Sequence, residues 1–143
     1  MNEDYAEILR VINGQRVRYS NTSDVYHGFR GLTKDQVMTL HDIIGHYDDR
    51  YCYDDSNWLE STQNYSPRIG EFLQLCDVYK DRITLHGYVI LPPRFDYRVS
   101  IEGFEATRLT ADEGLSLVTT YHHADSIEVD KTDTGYCVYA WWD

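Results

Sequence analysis

The sequence predicts one α+β domain in which N-terminal helices pack on a C-terminal antiparallel sheet arranged as hairpin, helix, hairpin. Three observations carry this expectation. Apolar residues recur at the helical period of 3.6 in four stretches. After Asp81 the period changes to two, the signature of strands. No repeat, low-complexity tract or Gly/Ser linker divides the 143 residues, a length that suits a single core built without disulfides or metal.

The elements follow in order. Tyr5, Ile8, Leu9 and Ile12 share one face of a helix over 3–13, with Gly14 placed to end it. Residues 15–20 alternate as a short strand would, and the turn formers of 21–31 read as a loop. Thr33 caps a second helix over 34–45, and Gln36, three residues on, completes a capping box ahead of Val37, Leu40 and Ile44. Residues 46–65 show no clean period, although 57–63 could form a helical turn. Ser66 as cap and Pro67 at the first helical position open a third helix with the stripe Ile69, Phe72, Leu73 and Cys76.

Residues 83–91 then alternate as a strand, broken by Pro92-Pro93, with 96–106 as its hairpin partner. Thr110 and Glu113 form a second capping box, and Leu115 and Val118, with Tyr121 or His122, line the inner side of the helix that follows. A short strand at 126–130, a turn ending at Gly135 and a last strand at 136–142 complete the chain. That last strand is apolar on both faces, so it is either covered on both sides or exposes an aromatic surface.

Charge narrows the function classes. The net charge is −11, and two blocks carry the whole excess: −5 over residues 42–60 and −7 over 102–143. Such a field repels nucleic acid and anionic membranes and attracts basic surfaces. No run approaches the ~20 apolar residues of a membrane helix. The N-terminus lacks the basic and apolar regions of a signal peptide, and three cysteines without C-x-x-C spacing suit a reducing, cytoplasmic setting. Cys76 and Cys137 fall on core elements, where a thiol usually serves as a small buried hydrophobe.

One segment has a metal-site pattern. His41-Asp42, in the run LHDIIGH, resembles the HD-phosphohydrolase signature, in which a His-Asp pair on a helix binds a divalent metal. The resemblance implies a further upstream histidine and a downstream aspartate, for which His27 and Asp77 are available, and a metal that activates water for phosphate-ester cleavage. It departs from the family in the apolar residues before its glycine and in a second half that reads as strands rather than helices. The alternative places His41 and Asp42 on the exposed side of a capped helix. His122-His123, with Asp125 and Glu128 nearby, forms a second histidine cluster, better read as a helix C-terminus. No nucleophile-elbow, P-loop, dinucleotide-binding or zincin motif is present.

The most distinctive stretch is 46–65, where Tyr47, Tyr51, Tyr53, Trp58 and Tyr65 interleave with Asp48, Asp49, Asp54, Asp55 and Glu60. Carboxylates on an irregular surface can stand in for phosphates, and rings between them can stack on arginine. The expected partner-binding residues are Asp48, Asp49, Tyr51, Tyr53, Asp54, Asp55 and Trp58. The bland alternative is a solvated acidic loop whose rings pack down on the helices.

The leading expectation is therefore a non-enzymatic, acidic interaction module without cofactor. Its partner would be a basic protein surface such as that of a nucleic-acid-binding protein. In size and charge the chain resembles the small acidic anti-restriction and anti-CRISPR inhibitors carried by phages. The alternatives are a phosphohydrolase built on His41-Asp42 and a homodimer joined through the C-terminal strand.

Overall fold

The computed structural model describes residues 2–12, 16–17, 26–45, 55–91, 94 and 96–143. In chain order these form α1 (Asn2–Ile12), β1 (Arg16–Val17), β2 (Tyr26–Leu32), α2 (Lys34–Gly45), a 3-10 turn (Asp55–Glu60), α3 (Ile69–Tyr79), a second 3-10 turn (Lys80–Arg82), β3 (Ile83–Ile90), β4 (Arg98–Leu109), α4 (Ala111–Thr120), β5 (Ser126–Thr132) and β6 (Gly135–Trp141). The strands make one antiparallel sheet in the order β1-β2-β3-β4-β6-β5. Helices α2 and α3 pack on β3 and β4, α4 packs on β4 and β6, and α1 rests on α2. Among the described residues no helix is long and apolar enough to cross a membrane.

The α+β class and the C-terminal hairpin–helix–hairpin stand. The division into N-terminal helices and C-terminal sheet holds only in part, because β1 and β2 bring the N-terminal region into the sheet. The segment read as a loop over 21–31 contributes β2 instead. Gly28 and Gly31 gave it the composition of a turn, but Tyr26 to Arg30 pair residue by residue with Ile90 to His86, and Gly31 (φ 83°) supplies the bulge that shifts the register before Leu32.

Both capping boxes form. At α2 the Thr33 hydroxyl accepts from the Gln36 amide at 3.2 Å, and the Gln36 side chain accepts from the Thr33 amide at 2.9 Å. Thr110 and Glu113 do the same at α4, at 3.1 and 2.9 Å. Helix α3 begins later than its serine suggested. Arg68 occupies the cap position without a side-chain bond, while the Ser66 hydroxyl closes the preceding turn by accepting from the Gln63 amide.

The inner face of α4 also differs from expectation. Gly114, Leu117 and Tyr121 are buried, Val118 is half-buried and Leu115 is exposed. A glycine gives no hydrophobic signal in sequence, yet here it is buried beside Tyr136 and Val138. The last strand, β6, lies between β4 and β5 rather than at an edge, so a twofold contact through its free side is ruled out. Its two apolar faces have separate uses. Val138, Ala140 and Trp142 enter the core, and Cys137, Tyr139 and Trp141 are half-buried on the opposite face.

Two glycines give a test of this packing. A Cβ on Gly87 would sit 1.9 Å from the Ser100 carbonyl oxygen, which is backbone and cannot swing away. One on Gly114 would meet only ordinary contacts at 3.7 Å and beyond. Gly87→Ala is expected to destabilise the fold by about 1–3 kcal/mol or more. Gly114→Ala should be neutral or stabilise by up to about 1 kcal/mol through helix propensity. Urea unfolding midpoints of the two variants check both expectations.

Candidate interaction surface

Of the seven residues expected to contact a partner, Asp48, Asp49, Tyr51, Tyr53 and Asp54 lie outside the described residues, and Asp55 opens the first 3-10 turn. Trp58 does not face outward. It is 5% exposed, its ring stacks on His41 at 3.7 Å between centroids, and its indole N–H donates to the Val99 carbonyl at 3.0 Å. Its amphipathic ring thus ties the 3-10 turn to α2 and β4.

The same contact corrects the placement of His41, which is buried on the inner side of α2, while Asp42 is exposed. Asp77, the proposed downstream ligand, accepts from Lys34 Nζ at 2.7 Å. Among the described residues no three His, Cys, Asp or Glu side chains gather in a metal-binding group. His122 donates from Nδ1 to the Thr119 carbonyl, and His123 packs against Trp142. Cys76 is a free thiol that burial pushes up to about 11, and burial also raises the Cys137 thiol, so neither is primed as a nucleophile.

The face of the sheet away from the helices carries an ordered polar layer. His86 reaches across Gly103, which has no side chain to block it, and stacks on Tyr139 at 5.0 Å. Arg30 also lies over the Tyr139 ring and pairs with Glu105. Burial, followed by the charge of Arg30, pushes His86 down to about 4, so the ring is neutral. Glu102, at the bulge opposite His86 and Gly87, is pushed up to about 7. Burial is the main cause and the charge of Asp143 adds to it, while a hydrogen bond with the Trp141 side chain acts the other way.

Ion pairing is uneven over the molecule. Arg10, Arg30, Lys34, Arg68, Arg82, Arg94, Arg98 and Arg108 each have a carboxylate partner. The firmest pair is bidentate: Arg82 holds Glu113 at 2.8 and 2.9 Å and brings its carboxyl down to about 2, anchoring the first turn of α4. Among the described residues, Asp112, Glu128, Asp130 and Asp133 are exposed and have no ion-pair partner, as is also true of Asp35, Asp125 and Asp143. The first four belong to α4, β5 and the turn after β5.

Beside them lies an apolar groove of about 370 Å³, lined by Ala111, Gly114, Leu115, Val118, Val129 and Tyr136. Leu115 is 66% and Val129 48% exposed. A second exposed feature is Tyr65, 95% exposed, on a turn where Asn64 (φ 53°) and Tyr65 (φ 65°) are both left-handed. Neither the groove nor the unpaired acids could be read from sequence, since both depend on which residues find partners in space.

Compared with protein-family models, curated proteins and solved structures, this chain matches none.

Two predictions follow from the buried groups. Trp58→Ala removes a core ring and should cost about 3–5 kcal/mol of stability, measured by denaturant unfolding; a near-neutral effect would restore Trp58 to the surface. Glu102 has a folded pKa above its ordinary 4.5, so its protonated form stabilises the fold, and that contribution fades as pH rises from 4.5 through about 7. His86 has the opposite sign: its contribution is full above 6.5 and is lost as pH falls toward about 4. Glu102→Gln should therefore gain stability over wild type as pH rises from about 4.5 to about 7 and hold that gain above it, with the His86 dependence below 6.5 unchanged. Unfolding curves across that range check the difference.

Proposed function

We propose that this chain is an acidic protein-interaction module that binds a basic protein surface, and that the partner is a nucleic-acid-binding enzyme whose phosphate-binding groove the carboxylates occupy. The observation that carries the reading is the uneven pairing of charge. Eight basic side chains are held in internal pairs, whereas among the described residues Asp112, Glu128, Asp130 and Asp133, around α4 and β5, are exposed without an ion-pair partner. A surface that holds most of its cations in pairs leaves its surplus negative field for a partner.

Asp48, Asp49, Asp54 and Asp55, with Tyr51 and Tyr53, add a second acidic group to the same reading, and the exposed ring of Tyr65 adjoins that stretch in sequence. Nucleic acid itself is an unfavourable ligand for such a field.

The test is capture from a lysate of the source cells, comparing wild type with two charge-reversed variants. One carries Asp112→Lys, Glu128→Lys, Asp130→Lys and Asp133→Lys; the other carries lysine at positions 48, 49, 54 and 55. The expected result is recovery of a nucleic-acid-binding protein by wild type, its release by moderate salt or competing duplex DNA, and its loss from at least one variant. Equal recovery by all three proteins, or release by neither salt nor DNA, overturns the proposal.

A further inference from the structure

The two edges of the sheet are protected differently. Among the described residues the β1 edge is the two-residue strand Arg16–Val17. Short edges of that kind are a common defence against unwanted strand pairing, as are prolines, bulges and edge lysines. The β5 edge has seven residues, no proline and an unbroken register with β6 from Ser126 to Thr132. Its one lysine, Lys131, lies over the Tyr136 ring. The outer side of β5 pairs with no strand among the described residues.

We infer that the β5 edge is a docking site for an extended basic segment of a partner protein, which adds to the sheet as a seventh strand. Side chains alternate between the two faces of a strand, so the site imposes a period-two pattern on what it accepts. On the helix side, Val129 and Tyr136 face α4 across the groove, and Leu115 and Val118 form its far wall. Residues of the added strand that point this way are apolar. On the opposite side, Glu128 and Asp130 flank Val129, both exposed and, among the described residues, without an ion-pair partner. Residues that point this way are lysine or arginine. The favoured ligand therefore alternates apolar and basic residues.

Charge decides against a second copy as occupant. Twofold pairing of β5 about Val129 sets Glu128 of each chain opposite Asp130 of the other, and like charges directly opposite destabilise a ladder. In that register, the one that would seat Val129 against Val129, the same acids that attract a basic strand oppose self-pairing.

This inference rests on the proposed function for the basic character of the partner, but its test is separate. The probe is a synthetic decapeptide alternating valine with lysine or arginine, blocked at both ends and followed by fluorescence anisotropy. Two comparisons isolate the mode of binding. The first is the same peptide N-methylated on both of its edges, which keeps the charge and removes the ladder donors. The second is the full chain carrying Leu115→Ser and Val129→Ser, two exposed positions whose change leaves the core intact. Each is expected to lower affinity at least tenfold. The amides of β5 that do not bond β6 should gain hydrogen-exchange protection when the unmodified peptide is present.

Equal binding of the methylated peptide reduces the contact to charge attraction and overturns the inference. So does absence of binding, or self-association of the protein through this edge. A chain that captures a basic partner from lysate yet ignores the peptide loses this inference and keeps the proposed function. Peptide bound at β5 with no such partner captured does the reverse.

Discussion

Four aromatic rings join the two layers of the molecule. Phe104 of β4 and Trp142, just past β6, lie against Phe72 of α3 and Tyr121 at the end of α4, with ring centroids 5.5 to 6.4 Å apart and mostly edge to face. Each such pair adds about 0.5–1.5 kcal/mol beyond the area it buries. Because the rings come from four elements spread over the second half of the chain, their contact fixes the height of both helices above the sheet. It also requires β6 to lie directly beside β4, since Trp142 and Phe104 must reach the same cluster. The cluster has a cost. The Trp142 indole N–H has no hydrogen-bond partner, a penalty of about 1–3 kcal/mol that the buried ring offsets.

Once β6 is held inside the sheet, β5 becomes the edge by default. Among the described residues it pairs only with β6, and α4, anchored by Arg82, leaves Leu115 and Val129 exposed. The exposed groove thus follows from the aromatic core and from where the helix is pinned. Exposed acids without cationic partners weaken the folded state by mutual repulsion. The fold can tolerate them because its stability comes from the apolar layer between sheet and helices, and its exposed ion pairs contribute little each. Surface charge at this end is free to vary without loss of the core.

Much of this frame was legible in the sequence, for local reasons. Thr33 with Gln36 and Thr110 with Glu113 announce helix starts within four residues, and both boxes form. The alternation of β3 is likewise written in adjacent residues. What was not legible depends on partners distant in sequence. β2 becomes a strand because β3 pairs with it, despite two glycines that locally favour a turn. Trp58 sits among acids and reads as surface, yet it is drawn inward by His41 and by a carbonyl of β4. Glu113 and Asp77 lose their free charge to Arg82 and Lys34, 31 and 43 residues away, so the acids left over are known only after the pairing is known.

The turn at 63–66 shows how local strain and global packing meet. A left-handed residue other than glycine costs about 1–2 kcal/mol, and Asn64 and Tyr65 adopt that conformation in succession. The ring of Tyr65, almost wholly in solvent, contributes no burial to offset this cost. The turn is held instead from both ends. The Ser66 amide donates to the Gln63 carbonyl while the Gln63 amide donates to the Ser66 hydroxyl. The Gln63 side chain accepts from Tyr88, which in turn accepts from Arg98, itself paired with Asp96. A chain of polar contacts from the sheet therefore keeps an aromatic ring extended where intrinsic preference would not put it. Strain of this kind persists only where the surroundings over-determine it, and such places concentrate at contact sites.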